Sequence, residues 1–376
     1  MKVKTYTSIT HIDKDEWNSI VEKNNIMCDH SYLEAVEKSD INNCVYYYPV
    51  VYKDGKIVAH TSAYLIRTEL DLFAQGAIKN VVNFIRRKWK NFLVMRSIEC
   101  GTPVKIGNTI SFAEEIDKIK ALDLMCKEIE GIAKRLGVKM ILFRDFYDQE
   151  IDFFDKFTES GYVRIHNLQN TNIEIKWKTF DEYLNSMKSN YRRKIIKRME
   201  KCREKGIVVA KVEKFSKYAD NLMSLWENVN KNAKEYCRER LTTEFFRNID
   251  KYMEERSQAI LLKKEGIPIG CALLLLDEKT LTSMYYGLDY SYNKENFLYF
   301  NLLYETVKMG IEKGIEDIDM GITTLVPKKD LGAKICTLYM YMKYDHFLLS
   351  KIIPKLFNMM TPQDNTGPRK VFKDDD

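Results

Sequence analysis

Residues 315–332 read IEDIDMGITTLVPKKDLG, a short run that concentrates groups able to meet a developing negative charge. A strand-like stretch ends at Asp319-Met320-Gly321, the hydroxyl pair Thr323-Thr324 follows, and Lys328-Lys329 lead into the turn Leu331-Gly332. Polar loops at the ends of core strands are where α/β folds commonly place their chemistry. Thr323 or Thr324 can donate to an oxyanion, while Lys328 and Lys329 can neutralise one or bind a phosphate. The competing reading is a surface loop with two solvated lysines.

Two other stretches could hold an anionic ligand. Tyr285, Tyr286 and Gly287 end a strand, and 293–296 lead into a helix whose N-terminus, approached by Lys294 and Asn296, can take a phosphate or carboxylate. Tyrosines at alternating strand positions are otherwise packing residues. The second stretch, TFDEYLNSMKSNYRRKIIKRMEKCREK (179–205), predicts one basic helix. Thr179 and Glu182 form a capping box, and Leu184, Met187, Tyr191, Ile195, Met199 and Cys202 make its apolar stripe. Asn190, Arg192 and Arg193 are its binding candidates, because a charge run of this kind suits phosphates of CoA, a nucleotide-linked sugar or tRNA. A solvated helix face is the plain alternative.

The elements that must position these residues occur twice along the chain. Residues 45–65 (VYYYPVVYKDGKIVAHTSAYL) and 258–276 (QAILLKKEGIPIGCALLLL) are both hairpins, with Gly55 and Gly266 at the turn position that needs a positive φ. Leu122, Met125, Cys126, Ile129, Ile132, Ala133 and Leu136 then predict an amphipathic helix ending at Gly137, before the strand VKMILF. Phe300, Leu303, Val307 and Ile311 do the same ahead of Gly314 and IEDIDM. Gly55 to Gly266 spans 211 residues and Gly137 to Gly314 spans 177, so the first copy carries 34 extra residues. These form a basic, aromatic insertion near 68–101. Hairpin, helix and strand in this order predict an α/β (α+β) fold with mixed sheets in two tandem domains, 1–175 and 176–376.

Composition narrows the function class. The chain has 376 residues, ordinary globular composition and a net charge of +6, which suits an anionic substrate or carrier and does not point to sequence-specific DNA binding. Eight cysteines without CxxC spacing read as core residues of a reduced protein. Five unpaired histidines predict no metal site. No apolar stretch of signal-peptide length follows MKVKTYTSITHIDKDEW, and no run reaches the roughly 20 apolar residues of a membrane span, so a cytoplasmic protein is expected. Segments NFIRRKWKNFLVM and FLLSKIIPKLFNMM mix basic and bulky apolar residues, which raises the prospect of peripheral membrane contact or of packing on their own domain. The tail TPQDNTGPRKVFKDDD reads as poorly ordered.

SNYRRKIIKRMEKCREKGI, then KEGIPIGCALLL, then YYGLDYSYNKENFLYFNLLYETVKMGIEKGIEDIDMGITTLVPKKDLG resemble, in that order, FemAB-like acyltransferases of the GNAT superfamily. The likeness covers about 180–345 well and the first copy in outline. It implies two tandem GNAT-like domains (the acyl-CoA N-acyltransferase fold) and a transferase moving an acyl or aminoacyl group onto a small-molecule or peptide amine. Lys328 would then stabilise charge, Thr323 or Thr324 would donate a hydroxyl, and Asp319 would act as base or, the favoured role, as loop anchor. Donor or substrate binding would fall to Asn190, Arg192, Arg193, Tyr286, Lys294, Asn296 and Lys329. The implied donor is acyl-CoA, aminoacyl-tRNA or another acyl carrier, with no tightly bound cofactor. The usual pyrophosphate loop is replaced by Tyr292-Asn293-Lys294-Glu295-Asn296-Phe297, which favours a donor other than ordinary CoA. No Ser-His-Asp or Cys-His spacing occurs, so no covalent acyl-enzyme is expected. The rival readings are an inactive GNAT-fold binding protein and a surface-associated enzyme for a lipid-linked substrate.

Overall fold

The computed structural model describes residues 1–69, 81–82, 84–90, 92, 94–233, 238–346, 349–361, 363–364 and 366–375. The strands along the chain are β1 (Lys2–Tyr6), β2 (Val45–Lys53), β3 (Lys56–His60), β4 (Ala63–Glu69), β5 (Val94–Cys100), β6 (Ser111–Phe112), β7 (Met140–Tyr147) and β8 (Val163–His166). There follow β9 (Asn170–Glu174), β10 (Ile207–Val212), β11 (Ser257–Lys264), β12 (Ile267–Leu276), β13 (Thr280–Leu288), β14 (Asp317–Asp319), β15 (Lys334–Cys336) and β16 (Leu338–Tyr344). They make two mixed sheets, one in each of two compact units.

The first unit comprises Met1–Leu168, Glu235–Leu241 and Thr337–Gln363. Its sheet runs β6-β3-β2-β4-β5-β7-β16-β8, with β1 also on β2. The β2–β3 turn is set by Asp54 and Gly55 at φ 52° and 81°. A two-residue hairpin of this kind requires positive φ at both positions. β5 and β7 are parallel, joined by the helix Lys118–Arg135. That helix buries Leu122, Met125, Cys126, Ile129, Ile132 and Ala133 against a cluster including Ile141 and Phe143. The alternate residues of β7, Met140 and Leu142, pack on the sheet's other face with Phe357 and Ile353 of the helix Leu349–Met360. Of the inserted segment near 68–101, residues 70–80, 83, 91 and 93 lie outside the described residues. Thr68 and Glu69 close β4, and 94–100 form β5.

The second unit comprises Gln169–Lys234, Thr242–Cys336 and Asp364–Asp376, around a sheet ordered β10-β11-β12-β13-β14-β9-β15. Glu265 and Gly266 repeat the φ values of Asp54 and Gly55, at 52° and 81°. β13 and β14 are again parallel and joined by a helix, Leu298–Glu312, whose Leu298, Leu302, Leu303 and Val307 are wholly buried. The helix stops also match: Val138 N donates to Ala133 O at 2.9 Å and Ile315 N to Gly310 O at 3.0 Å, each across a glycine at positive φ. A glycine in that conformation is the common way to end a helix and satisfy its last carbonyls.

Three expectations need correction. The stretch 170–174, expected within the first domain (1–175), forms β9 of the second sheet, where Ile173 pairs with Ile318. The chain also returns to the first unit at 337–363, where β16 lies between β7 and β8, so a single cut near 175 does not describe the units. The basic segment 179–205 is two helices, Phe180–Ser186 and Ser189–Glu204, because Met187 turns extended to bridge with Phe372 while Lys188 N donates to Val371 O at 2.9 Å. Thr179 caps the first of them as expected, accepting from Glu182 N at 3.1 Å. Finally, the tail is built into the second unit: Val371 is fully buried and Phe372 packs on Trp177 and Tyr183.

Candidate functional site

β13 and β14 pair at only three positions, Thr280 with Asp317, Leu281 with Ile318 and Thr282 with Asp319. From Ser283 onward β13 keeps its ladder with β12 alone, and a bulge opposite Leu273/Leu274 re-aims it there. The parting of two parallel strands exposes backbone polar groups and gives a ligand room. The loop that follows β14 is folded over this point. Gly321, at φ 83°, donates its N–H to Asp319 Oδ1 at 2.8 Å, while its carbonyl accepts from Thr171 Oγ1 at 2.6 Å and from Lys328 Nζ at 2.9 Å. Asp319 thus braces the turn at Gly321 from the end of β14.

Lys328 and Lys329 sit on the five-residue helix Leu325–Lys329 and are both buried, at 3% and 2% exposure, which removes the reading of two solvated lysines. Their surroundings differ. Lys329, a binding candidate from the sequence, has its Nζ bonded to Thr366 Oγ1 (2.7 Å), Thr366 O (2.5 Å) and Asp364 Oδ2 (3.3 Å), so it pins the tail. Lys328 instead places its ammonium on the Gly321 carbonyl where β14 ends.

Thr324 adopts a left-handed conformation, φ 57° and ψ 52°. That geometry is strained for a β-branched residue. Tyr299 lies against it. Burial pushes the Tyr299 phenol up, opposed by its hydrogen bond with Thr324. The Tyr299 ring meets Tyr286 edge-on at 5.6 Å, and Tyr286 Oη lies 3.3 Å from Thr306 Oγ1. Burial raises Tyr286 as well, with a smaller push from Asp319. Both phenols stay protonated near neutral pH and present neutral O–H groups. Asp317, one pleat before Asp319, is pushed up to about 6 by burial, with Asn172 opposing and the Asp319 charge adding to the rise. Thr323 is half-buried in the same loop.

The other candidates lie apart from this cluster. Arg192 donates to Asn185 Oδ1 at 3.3 Å and Arg193 to Ser189 O at 3.3 Å, both along their own chain segment, and Asn190 is exposed. The basic helix reaches the loop through Lys194, 2.9 Å from Asp330 Oδ2. Its inward-turned cation is Arg198, missed by the sequence reading. Arg198 stacks on Phe300 at 3.7 Å and donates to Tyr304 Oη at 3.1 Å. A guanidinium over an aromatic face is attracted by the ring quadrupole. Lys294 is exposed, while Asn296 is buried and donates to Tyr292 O at 2.8 Å. At the start of Leu298–Glu312, Tyr299 N donates to Asn293 Oδ1 at 3.0 Å, so this first-turn amide is satisfied by a side chain. Thr171 and Tyr299 were also missed. Thr171 was hidden by the wrong assignment of β9, and Tyr299 by its place on a helix that reads as pure core.

The matching point in the first unit is filled by its own charges. Within the β5–β7 ladder, where Glu99 pairs with Leu142, Glu99 Oε2 accepts from Arg238 Nη2 (2.5 Å), Tyr64 Oη (2.8 Å) and Arg144 Nη1 (3.1 Å). Burial alone would raise Glu99, but Arg238 and Arg144 outweigh it and hold the carboxyl at about 2. Asp145, at φ 70°, accepts from Asn167 Nδ2 (2.6 Å) and Gly107 N (3.2 Å). Among the described residues no cluster of His, Cys, Asp and Glu is suited to a metal ion.

A model of the FemAB-like family, described as peptidoglycan biosynthesis or recognition, matches residues 8–324. A putative 8-amino-7-oxononanoate synthase 2 of Mycobacterium tuberculosis is 25% identical over 324 residues, covering 84% of this chain and 42% of that protein. The chain thus spans under half the length of this curated relative. Among solved structures, FemX is similar over 94% of this chain and 100% of its own, with a TM-score of 0.59 and 12% identity. A tandem GNAT protein from the clavulanic acid biosynthesis pathway is similar over 92% of this chain and 99% of its own, with a TM-score of 0.52 and 8% identity. These two likenesses speak for the fold, which is that of two GNAT-like domains. With a family model that spans most of its length, the chain belongs to the FemAB-like family.

Proposed function

We propose that this chain transfers an activated aminoacyl or acyl group to an amine, at the point in the second unit where β13 and β14 part. The observation that carries the reading is the buried ammonium of Lys328, fixed on the Gly321 carbonyl at the end of β14. The amine nitrogen attacks the carbonyl carbon of the donor ester or thioester. A C–N bond forms, the carbonyl oxygen becomes an oxyanion, and its charge is met by Lys328 with a hydroxyl from Thr323, Thr324 or a neighbouring phenol. Collapse breaks the C–O or C–S bond, and the proton lost by the amine leaves with the departing oxygen or sulfur. Asp319 is engaged by Gly321 N and positions the loop.

No enzyme-bound acyl group is needed. Burial pushes the described thiols Cys28 and Cys271 up to about 12 and Cys202 up to about 11. Such thiols stay protonated and poorly nucleophilic.

We read the donor as an aminoacyl ester on tRNA or a similar carrier, ahead of acyl-CoA. Two features support this. Glycines that would let a pyrophosphate approach the start of Leu298–Glu312 are replaced by 292–297, and Asn293 already occupies a first-turn amide. The family's description favours a peptide amine of a peptidoglycan precursor as acceptor. These donor pools are cytoplasmic, which is where we place the reaction.

The test is an assay of the full chain with labelled aminoacyl-tRNA and with acyl-CoA, each offered to peptide amines. Turnover from aminoacyl-tRNA is expected. Turnover from acyl-CoA alone would overturn the donor assignment, and transfer from neither would overturn the reading as a transferase of these donors.

A further inference from the structure

The helix Leu349–Met360 of the first unit has two apolar faces. Its inner face carries Ile353, Pro354 and Phe357, packed toward Met140, Leu142, Ile165, Met340 and Met342. Its outer face carries Ile352, Leu356 and Met359, which are 49%, 48% and 83% exposed. Spacings of four and three residues put these three side chains in one stripe. Lys351 and Lys355 flank the stripe and are exposed, and the helix contains no acidic residue.

A second segment of the same unit repeats this chemistry. Val81, Phe84 and Trp89 are 57%, 68% and 70% exposed, among Arg86, Arg87, Lys88 and Lys90. The segment leads into β5, whose Met95 packs on the same apolar cluster as Ile353. β5 thus follows this segment in the chain and packs on the cluster that the helix Leu349–Met360 covers. Among the described residues no helix is long and apolar enough to cross a membrane.

The geometry points to a docking face for an anionic lipid surface on the first unit, formed by the outer stripe of Leu349–Met360 and the segment around Phe84 and Trp89. Bulky aliphatic and aromatic side chains enter the acyl boundary while the lysines and arginines beside them meet anionic headgroups. Charge of a single sign around a protruding apolar stripe is the complement of such a surface. A nucleic acid would use the cations but would leave Ile352, Leu356 and Met359 without a role. The inference does not depend on which group the second unit transfers.

The test is flotation of the full chain with vesicles of phosphatidylcholine alone and with phosphatidylglycerol added. Binding is expected only with phosphatidylglycerol, falling as salt rises. Lys351→Gln and Lys355→Gln should each weaken it about fivefold. Leu356→Glu with Met359→Glu should abolish it while leaving the melting temperature unchanged, since both side chains are exposed. Trp89 emission should shift to the blue on binding, and Trp89→Phe should remove that shift. Absence of flotation, or flotation indifferent to Leu356→Glu/Met359→Glu, would overturn the inference. So would a vesicle-independent dimer, or a tRNA complex, that the same double variant destroys in place of lipid binding.

Discussion

The ring of Phe372 occupies the space that a Cβ on Gly332 would need. Gly332 also sits at φ 87°, so two constraints, steric and conformational, meet at the turn that closes the lysine-bearing loop. Gly332→Ala should cost about 2–4 kcal/mol, from the backbone strain and the overlap together. In a Phe372→Ala background the same change should cost clearly less, because the overlap is gone. Urea unfolding of the four proteins in this cycle checks it.

Lys329 binds the tail through Asp364 and Thr366, and Arg369 adds an ion pair to Asp330. Lys329→Met should therefore lower stability by about 3 kcal/mol, the usual cost of removing one partner of a buried pair. Protease cleavage should then rise in 364–375, the segment Lys329 retains. Limited proteolysis with mass mapping reads both position and rate.

Asp317 supplies a pH dependence. Its folded pKa of about 6 lies above the ordinary 3.8, so the folded state binds the proton more tightly than the unfolded chain. Stability from this group is full below about 4 and is lost as pH rises through about 6. Asp317→Asn should thus match the parent below about pH 4 and exceed it by about 1–2 kcal/mol at pH 7, after allowance for partial exposure. Thermal melts at the two pH values decide it.

Glu99 pairs with both Arg144 and Arg238. Glu99→Gln should destabilise the first unit by about 3–5 kcal/mol, since two buried guanidiniums lose their shared counter-charge. Chemical denaturation followed by Trp17 fluorescence reports this, Trp17 being fully buried in that unit.

The repeated hairpins and helix–glycine–strand units were legible because each is local: Gly55, Gly266, Gly137 and Gly314 all sit at the positive φ their positions demanded. The loop at 319–332 was legible for the same reason, as a polar run after an apolar strand. What escaped is non-local. β9 is five residues of ordinary strand sequence, and only its pairing with Asp317–Asp319 and Lys334–Cys336 reveals its sheet. Tail residues 366–374 look polar and most are exposed, yet Val371 is buried and Phe372 packs on the core, which ties them to the second unit. Lys328 and Lys329 are adjacent and chemically identical, so only their partners separate a pin from a candidate catalytic group. Glu99, Arg144 and Arg238 are too far apart in sequence for any spacing to signal their cluster.

The central claim is that Lys328 stabilises the oxyanion of the transfer. The most direct measurement is the single-turnover rate of aminoacyl transfer by Lys328→Met beside the parent, with melting temperatures recorded for both. A fall of about 10²–10³-fold in rate is expected, with partial recovery in Lys328→Arg and a folded protein throughout. A Lys328→Met protein that transfers at the parental rate would contradict the claim.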